Sequence, residues 1–359
     1  MKKICFVVFN FNGAGGMERV NADLIQALAQ REAYDITLLS LFGKQGEEFF
    51  RLEEMANVRV KYLIGEVFNV RLHAGKMVRA IEDEIVGGQY EVVVSGDLRT
   101  YFAKVKERNG EKFKLILWEH FNCTQPHSMV ADWGRKYFLK YADWLVVLSK
   151  RDRLNTVRKF GCEGKIRQIY NPIVNVGAQV ADVRKKRILS VGRIEEQKGY
   201  DLLVDIAKRV AKRCDGWCWD IVGDGSGREW LQKRIDEEGL GEFLTLKGAC
   251  RDIHEVYPEY SIFALTSRYE GLSMVLLEAY SHRLPLISFD CDCGPSEIVR
   301  EGENGFLVPC FDCDDYAEKL VSLMNDEELR RWFSEHCRLP LAEFDVDYVL
   351  DQWERLFDE

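Results

Sequence analysis

Short runs of β-branched and other apolar residues alternate with stretches of helical periodicity along the whole chain. Runs of about four to eight residues without a polar face are typical of strands that are covered on both sides in a parallel sheet. Helices are expected in the intervals, among them residues 17–30. The pattern predicts strands at 4–9, 35–41, 58–63, 92–95, 115–118, 144–148 and 166–169, and again at 187–191, 220–222, 245–246, 262–266, 286–289 and 306–308.

The alternation is interrupted once, at Asn171-Pro172-Ile173 and the small, polar stretch that follows. Pro172 has no N–H donor and disfavours helix at the preceding residue, which is typical of a linker. We therefore expect an α/β protein with two Rossmann-like, doubly wound domains, at 1–172 and 182–340, facing a central cleft. Helices are predicted at 314–325, 326–336 and 345–357, and the segment 341–359 is expected to cross back to the first domain.

Composition narrows the class of protein. The chain has 359 residues, of which 47% are hydrophobic and 30% charged, a balance that suits globular domains rather than disorder or collagen. No apolar run approaches the roughly 20 residues that span a bilayer. The 11 cysteines are an odd number, and some lie within apolar runs, as Cys5 does, where a thiol serves as a small hydrophobe. These features favour a cytoplasmic protein.

The net charge of −9 hides an asymmetry. Residues 1–180 contain 27 Lys and Arg against 21 Asp and Glu, a net of +6, whereas residues 181–359 contain 23 against 38, a net of −15. Within 131–170, ten basic residues are interleaved with aromatic ones, and an exposed docking face is expected around Arg135, Lys136, Tyr137, Phe138 and Lys140. This stretch suits peripheral attachment to the anionic inner face of a membrane, or a phosphate-bearing partner, although an ordinary solvated basic face has the same composition.

The first predicted strand leads into a glycine-rich loop, Asn10-Phe11-Asn12-Gly13-Ala14-Gly15-Gly16, and then into a helix. Glycines such as Gly15 and Gly16 allow backbone amides to approach an anion, and a helix N-terminus adds partial positive charge. The loop therefore predicts a phosphate site, and a tight turn without a ligand is the alternative. Its spacing differs from the G-x-G-x-x-G of dinucleotide-binding proteins.

A second strand exit carries two cations. Gly192-Arg193 ends the predicted strand 187–191, and Lys198 precedes the next helix. An arginine fork and a lysine five residues apart could hold one diphosphate from two sides, although chance surface basicity gives the same pattern. Gly223, in the glycine-rich exit of the next strand, is expected only to line the site.

The most informative segment runs from Ser267 to Ala279. Glu270 precedes a predicted helix, and Glu278 lies on its second turn among apolar neighbours. Buried carboxylates need partners, and the hydroxyls of a ribose would satisfy Glu278. Amides at the helix start could meet sugar hydroxyls or phosphate. These amides belong to Leu272, Ser273, Met274 and Val275.

Together these motifs resemble the large retaining family of nucleotide-sugar glycosyltransferases, family 4, which has the two-Rossmann GT-B architecture. The resemblance covers nearly the whole chain and is most specific from Ser190 to Val308. Two further segments, Gly-Met-Glu-Arg-Val at 16–20 and residues 287–297, resemble members of the family that build bacterial capsule, O-antigen and lipid-linked oligosaccharides. The motifs that carry the resemblance are Gly15-Gly16, Gly192-Arg193, Lys198-Gly199, Gly223-Asp224-Gly225 and Glu270 with Glu278 after seven intervening residues.

The resemblance implies a role for each of these positions. Arg193 and Lys198 would hold the donor diphosphate, Glu278 the ribose, and Glu270 would lie beside the donor sugar. Gly16 would approach the phosphate. His120 would lie in the cleft against the transferred sugar, although a core histidine at a strand end is the alternative.

The expected reaction is retaining transfer of a hexose or N-acetylhexosamine from a nucleotide-diphosphate sugar, UDP-sugar in the first instance, to a glycan or lipid-diphosphate-linked saccharide. No nucleophilic carboxylate is evident, which favours attack on the face from which the diphosphate departs. No metal, cofactor or nucleic-acid partner is expected. A nicotinamide-dependent oxidoreductase, a non-catalytic sugar-nucleotide binder, an inverting transferase and a phosphorylase of similar architecture remain alternatives.

Overall fold

The computed structural model describes two compact units, Met1–Val174 together with Ala342–Glu359, and Asn175–Leu341. At residues 129–132 the structure describes the backbone alone. The described residues are 1–13, 15–50, 52, 55–65, 73–97, 99–122, 129–173, 179–250, 252–337 and 342–359.

In the described part of the first unit, seven parallel strands form one sheet in the order β3-β2-β1-β4-β5-β6-β7. The strands are β1 (Lys2–Asn10), β2 (Tyr34–Phe42), β3 (Val58–Ile64), β4 (Val92–Ser95), β5 (Lys114–Glu119), β6 (Trp144–Val147) and β7 (Ile166–Gln168). The helices between them are α1 (Gly16–Ala29), α2 (Ala74–Gly88), α3 (Arg99–Asn109), α4 (Met129–Tyr141) and α5 (Lys150–Phe160).

The second unit repeats this scheme with six parallel strands in the order β10-β9-β8-β11-β12-β13. The strands are β8 (Arg187–Val191), β9 (Cys218–Val222), β10 (Leu244–Gly248), β11 (Ile262–Leu265), β12 (Leu286–Phe289) and β13 (Gly305–Val308). The helices are α6 (Tyr200–Val210), α7 (Arg228–Glu237), α8 (Met274–Ser281), α9 (Pro295–Ile298), α10 (Cys313–Asn325) and α11 (Glu327–His336).

The strand order of each sheet reverses at one point, between β1 and β4 in the first unit and between β8 and β11 in the second. Connections leave such a point toward opposite faces of the sheet, which opens a crevice beyond the carboxyl ends of the two strands. In the first unit these ends lead to Asn10 and Gly96, and in the second to Gly192 and Thr266. The glycine-rich and acidic motifs therefore lie where doubly wound sheets bind ligands.

A last helix, α12 (Val346–Asp358), completes the first unit. Its apolar face is buried, and the fully buried Trp353 lies with its ring centroid 5.0 Å from Trp118 and 6.4 Å from Phe6. The Lys114 ammonium donates to the Phe357 carbonyl at 2.9 Å, which places a cation at the negative end of the helix. Residues far apart in sequence therefore share one core.

The predicted fold class is confirmed. Each strand interval that the hydrophobic pattern predicts overlaps one observed strand, and the chain alternates strand and helix in both units. None of the helices in the described ranges is long and apolar enough to cross a membrane.

Candidate functional site

The exit of β8 and the exit of β11 are joined by hydrogen bonds in the second unit. Thr266 Oγ1 donates to the carbonyl of Lys198 at 3.0 Å, and the Arg268 N–H donates to the carbonyl of Gln197 at 2.8 Å. Gly199 has φ +62°, and a Cβ there would overlap the Thr266 carbonyl oxygen. Only glycine lets these two backbones approach this closely.

This approach brings Lys198 to Glu270. Lys198 Nζ lies 2.8 Å from Glu270 Oε1, and both side chains are largely buried. The aliphatic part of Lys198 lies against Gly192, where an added Cβ would be 2.9 Å from Lys198 Cε. The pair couples a cation expected at the diphosphate to a carboxylate expected at the donor sugar, although 72 positions separate them in sequence.

Glu278 lies one helical turn into α8 and is only 9% exposed. Its carboxylate already has a protein partner, because Tyr257, in a 3-10 turn (Tyr257–Glu259), donates its hydroxyl to Glu278 Oε2 at 2.7 Å. The sequence reasoning assigned this carboxylate to a ribose alone and missed Tyr257. No motif surrounds Tyr257, so only the packing of the turn against α8 identifies it.

The start of α8 carries an unusual serine. Ser273 is the N-cap residue, yet its side chain accepts no capping hydrogen bond. Its Oγ is buried, as is that of Ser267, and neither has a hydrogen-bond partner among the described residues. Buried hydroxyls normally have partners, so these two are available to a ligand. Leu272 is also buried here, whereas Met274 and Val275 are partly exposed.

The remaining expected residues of the second unit have different settings. The Arg193 side chain is 60% exposed and lies 3.3 Å from Glu195, so its guanidinium is accessible. Gly223 has a packing role that is independent of any ligand, because a Cβ there would overlap the carbonyl oxygen of Gly192. Its N–H donates to Gly248 at 2.8 Å.

The glycine-rich loop of the first unit ends at Gly15, the N-cap residue of α1, and Ala14 lies outside the described residues. A Cβ on Gly16 would meet no described atom within 4 Å, whereas one on Gly15 would overlap Glu18 Oε2. Packing among the described residues therefore gives no reason for glycine at position 16, and the space beside it is open.

His120 follows β5 and is nearly buried. A Cβ on Gly96 would lie 3.0 Å from His120 Cδ2 and 3.5 Å from Met17 Cε, so these three residues meet beside the β1/β4 crevice. Burial, and secondly the charge of Arg99, lower the pKa of His120 to about 3, so the imidazole is neutral. Its Nε2 is buried without a hydrogen-bond partner in the described ranges.

The basic, aromatic stretch differs from expectation in one respect. Arg135 and Phe138, which were expected at the surface, are buried on the inner face of α4. The outer face presents Trp133, which is 67% exposed, with Lys136 and Lys140. The expectation was wrong for the two buried residues because helical periodicity divides a stretch of mixed composition between two faces.

Among the residues that the structure describes, no group of three or more His, Cys, Asp or Glu side chains is arranged to hold a metal ion.

The two Rossmann-like units match the GT-B architecture of glycosyltransferases, and the second unit has a lysine–glutamate pair and a buried glutamate at its switch point. Comparison with known proteins gives the family. The profile described as Glycosyltransferase Family 4 matches residues 14–174, and that described as Glycosyl transferases group 1 matches residues 176–339. The chain belongs to this family of glycosyltransferases.

Two bacterial relatives match over nearly their whole length. An uncharacterized glycosyltransferase of Haemophilus influenzae is 29% identical over 98% of this chain and 99% of its own. The amylovoran biosynthesis glycosyltransferase AmsD of Erwinia amylovora is 27% identical over the same shares. Among solved structures, Staphylococcus aureus TarM is similar with a TM-score of 0.85 at 15% identity, over 100% of this chain and 99% of that one. Anabaena HepE in complex with UDP and glucose has a TM-score of 0.84 at 16% identity, with both chains fully covered.

Proposed function

We propose that this glycosyltransferase transfers a hexose or N-acetylhexosamine from a UDP-sugar to a glycan or lipid-linked saccharide during the synthesis of a bacterial surface polysaccharide. The names of the relatives support this. They include AmsD and a Campylobacter jejuni N-acetylgalactosaminyltransferase that acts on an undecaprenol-linked acceptor, 23% identical over 100% of this chain and 99% of its own. The UDP complex of HepE supports the choice of nucleotide.

The observation that carries the proposal is the Lys198–Glu270 pair at 2.8 Å beside the start of α8. The second unit, which contains the predicted domain 182–340, would bind the donor: Lys198 and Arg193 the diphosphate, Glu278 the ribose, and Glu270 the sugar. Amides at the start of α8, with Gly192 nearby, would supply donors to oxygen atoms of the donor substrate. The first unit would bind the acceptor, with His120 against the transferred sugar, while Gly15 and Gly16 would approach the donor phosphate.

The proposed chemistry retains the anomeric configuration. The bond between the anomeric carbon and the diphosphate oxygen breaks, and an acceptor hydroxyl attacks the same face. Its proton passes to an oxygen of the departing diphosphate, so the products are the glycoside and UDP. Lys198 and Arg193 stabilise the negative charge that grows on the diphosphate. A neutral His120 offers a hydrogen bond to a sugar hydroxyl without adding a charge.

The direct test is turnover of a panel of UDP-sugars, followed by mass spectrometry. The expected result is release of UDP and, with an acceptor, a glycoside whose anomeric configuration by NMR equals that of the donor. Oxidation of a nicotinamide cofactor, UDP-sugar binding without turnover, an inverted product or phosphate-dependent cleavage would each overturn the proposal in favour of the corresponding alternative.

A variant makes this test specific to the site. Glu278→Ala removes the proposed ribose contact and is expected to weaken UDP binding by about 1.5–3 kcal/mol, as for loss of a hydrogen bond to a charged group. Unchanged UDP affinity in calorimetry, with a normal melting curve, would exclude the ribose role.

We also propose that the first unit attaches to the anionic inner leaflet through the outer face of α4. Trp133, Lys136, Tyr137 and Lys140 follow the spacing of one helical face. The rings of Trp133 and Tyr137 stack at 6.0 Å with an interplanar angle of 14°. Lysines favour anionic headgroups and exposed aromatic rings favour the interface.

Sedimentation with vesicles tests the attachment. Binding is expected to phosphatidylglycerol vesicles but not to phosphatidylcholine vesicles, and it should weaken with salt. Lys136→Gln with Lys140→Gln should abolish it. The matched control, Lys76→Gln with Arg79→Gln on α2, removes the same charge from exposed positions elsewhere and should leave it unchanged. Equal loss of vesicle binding in both double variants, or no vesicle binding by the wild type, would contradict the proposal that this surface attaches to the membrane.

A further inference from the structure

Glu278 and His282 lie four positions apart on one face of the α8 segment, and Tyr257 contacts both of them. The Tyr257 hydroxyl donates to Glu278 Oε2 at 2.7 Å. The Tyr257 ring stacks on the His282 imidazole, with centroids 5.1 Å apart and an interplanar angle of 20°. Tyr257 is fully buried, so its position is set by packing on every side.

The imidazole beneath the tyrosine is itself fixed. His282 Nδ1 lies 2.8 Å from the carbonyl oxygen of Gln179, which can only accept, so Nδ1 carries the proton. His282 Nε2 lies 3.0 Å from His254 Nδ1, and the neutral ring accepts there. Burial lowers the pKa of His282, which favours this neutral form. The Ala181 N–H donates to the His282 carbonyl at 2.9 Å, which anchors the end of the helix.

We infer that Tyr257 is a positioning residue for donor binding: its hydroxyl holds Glu278 Oε2 and so fixes the orientation in which the carboxylate meets the ribose. This inference rests on the proposed ribose role of Glu278.

The physical reason is the cost of an unfixed buried carboxylate. A buried carboxylate that is ionised needs hydrogen-bond donors before any nucleotide arrives, and a hydrogen bond from a hydroxyl to a charged acceptor is among the stronger kinds. A glutamate side chain also has three rotatable bonds, and fixing them before binding avoids part of the entropy cost of association. Tyr257 supplies both effects from a rigid, stacked ring.

The experiment compares two nucleotides with each variant. Calorimetry gives the dissociation constants of UDP and of 2′,3′-dideoxy-UDP, and the ratio of the dideoxy-UDP constant to the UDP constant measures recognition of the ribose hydroxyls alone. Tyr257→Phe removes one oxygen atom and should lower this ratio about five-fold through weaker UDP binding, with dideoxy-UDP affinity unchanged. A purely structural role would weaken both nucleotides equally and leave the ratio unaltered.

Tyr260→Phe is the matched control. Tyr260 is also buried in the second unit and also donates to a carboxylate, Asp220 Oδ2 at 2.9 Å, but that carboxylate lies within β9. The ratio of nucleotide dissociation constants for the Tyr260→Phe variant should equal that of the wild type. An equal fall in both variants would overturn the positioning role.

Glu278→Gln separates this inference from the proposed function. If the Gln variant keeps the wild-type ratio, the ribose role itself is wrong. If the Glu278→Gln variant no longer discriminates between UDP and dideoxy-UDP but Tyr257→Phe still does, only the positioning role is wrong. Should Tyr257→Phe fail to fold, a crystal structure of the wild type with UDP decides: Glu278 bound to the ribose but turned away from Tyr257 would refute the inference.

Discussion

At the scale of single residues, the site depends on pairs whose members need one another. Lys198 and Glu270 are both shielded from solvent and lie 2.8 Å apart. Removing one partner leaves a buried charge without compensation, whereas replacing both by neutral groups costs much less. Stability and catalysis can therefore be separated at this pair, because only catalysis needs the charges themselves.

Lys198→Met is expected to lower kcat about 100-fold with saturating donor, because the lost charge acts most strongly as the diphosphate leaves. It should also lower the free energy of unfolding by about 3–5 kcal/mol. Adding Glu270→Gln should restore much of the stability but not the turnover. Urea titrations and initial rates check both. The control Lys185→Met breaks the exposed pair with Glu259 and should change neither kcat nor the free energy of unfolding. Wild-type turnover in Lys198→Met would refute the diphosphate role.

His120 gives the molecule a defined pH dependence. Its pKa is lowered by burial from 6.5 to about 3, so below pH 6.5 the unfolded chain binds a proton that the folded chain does not. Stability contributed by this group is therefore lost as pH falls from about 6.5 toward 3.

Between pH 7 and pH 5 this loss amounts to about 2 kcal/mol of unfolding free energy. His120→Phe should show a correspondingly smaller decrease in urea titrations than the wild type. His73→Phe, at an exposed position, should behave like the wild type. Identical pH profiles for the wild type and His120→Phe would show that His120 titrates normally.

At the scale of elements, the turn between β8 and α6 determines the position of Lys198. The turn contains a 3-10 helix (Glu196–Lys198) that ends at Gly199 in the left-handed region. The exit of β11 packs so closely against it that no side chain fits at Gly199. Two loops that follow neighbouring strands are thus packed directly against each other.

Gly199→Ala should therefore destabilise the chain by at least about 3 kcal/mol and reduce turnover, because the clash separates Thr266 from Lys198. Gly239→Ala is the matched control: its φ is +65°, but a Cβ would meet no described atom within 4 Å. Only the backbone cost of about 1 kcal/mol is expected there. Thermal unfolding and initial rates distinguish the two, and equal effects would contradict the close approach.

At the scale of the whole molecule, the chain returns to its first unit after completing the second. The return is held by Trp353 within the core and by ion pairs at the surface, including Arg31 with Asp347 at 2.9 Å. The first unit is therefore complete only when the last residues of the chain are in place.

Trp353→Ala should cost about 3–5 kcal/mol, as for other large buried side chains. Hydrogen exchange followed by mass spectrometry should show faster exchange in β1 and β5 and unchanged exchange in β8–β13. Trp332→Ala, at a 52% exposed position on α11, should have little effect on either unit. Faster exchange spread evenly over both sheets would contradict separate cores.

The sequence by itself determined the alternation of strands and helices, because burial on both faces of a parallel sheet leaves a continuous apolar run that is visible locally. It also determined which motifs follow strands, and hence that Lys198, Glu270 and Glu278 belong to one end of a sheet. Family resemblance then supplied the class of reaction.

Only the tertiary structure decided which groups meet. It paired Lys198 with Glu270, gave Glu278 the hydroxyl of Tyr257, and turned Arg135 and Phe138 inward. None of these follows from local spacing, since a partner 21 or 72 positions away is chosen by strand order and by the packing of turns. Periodicity shows that a residue is buried, but the side chain it contacts depends on the whole fold.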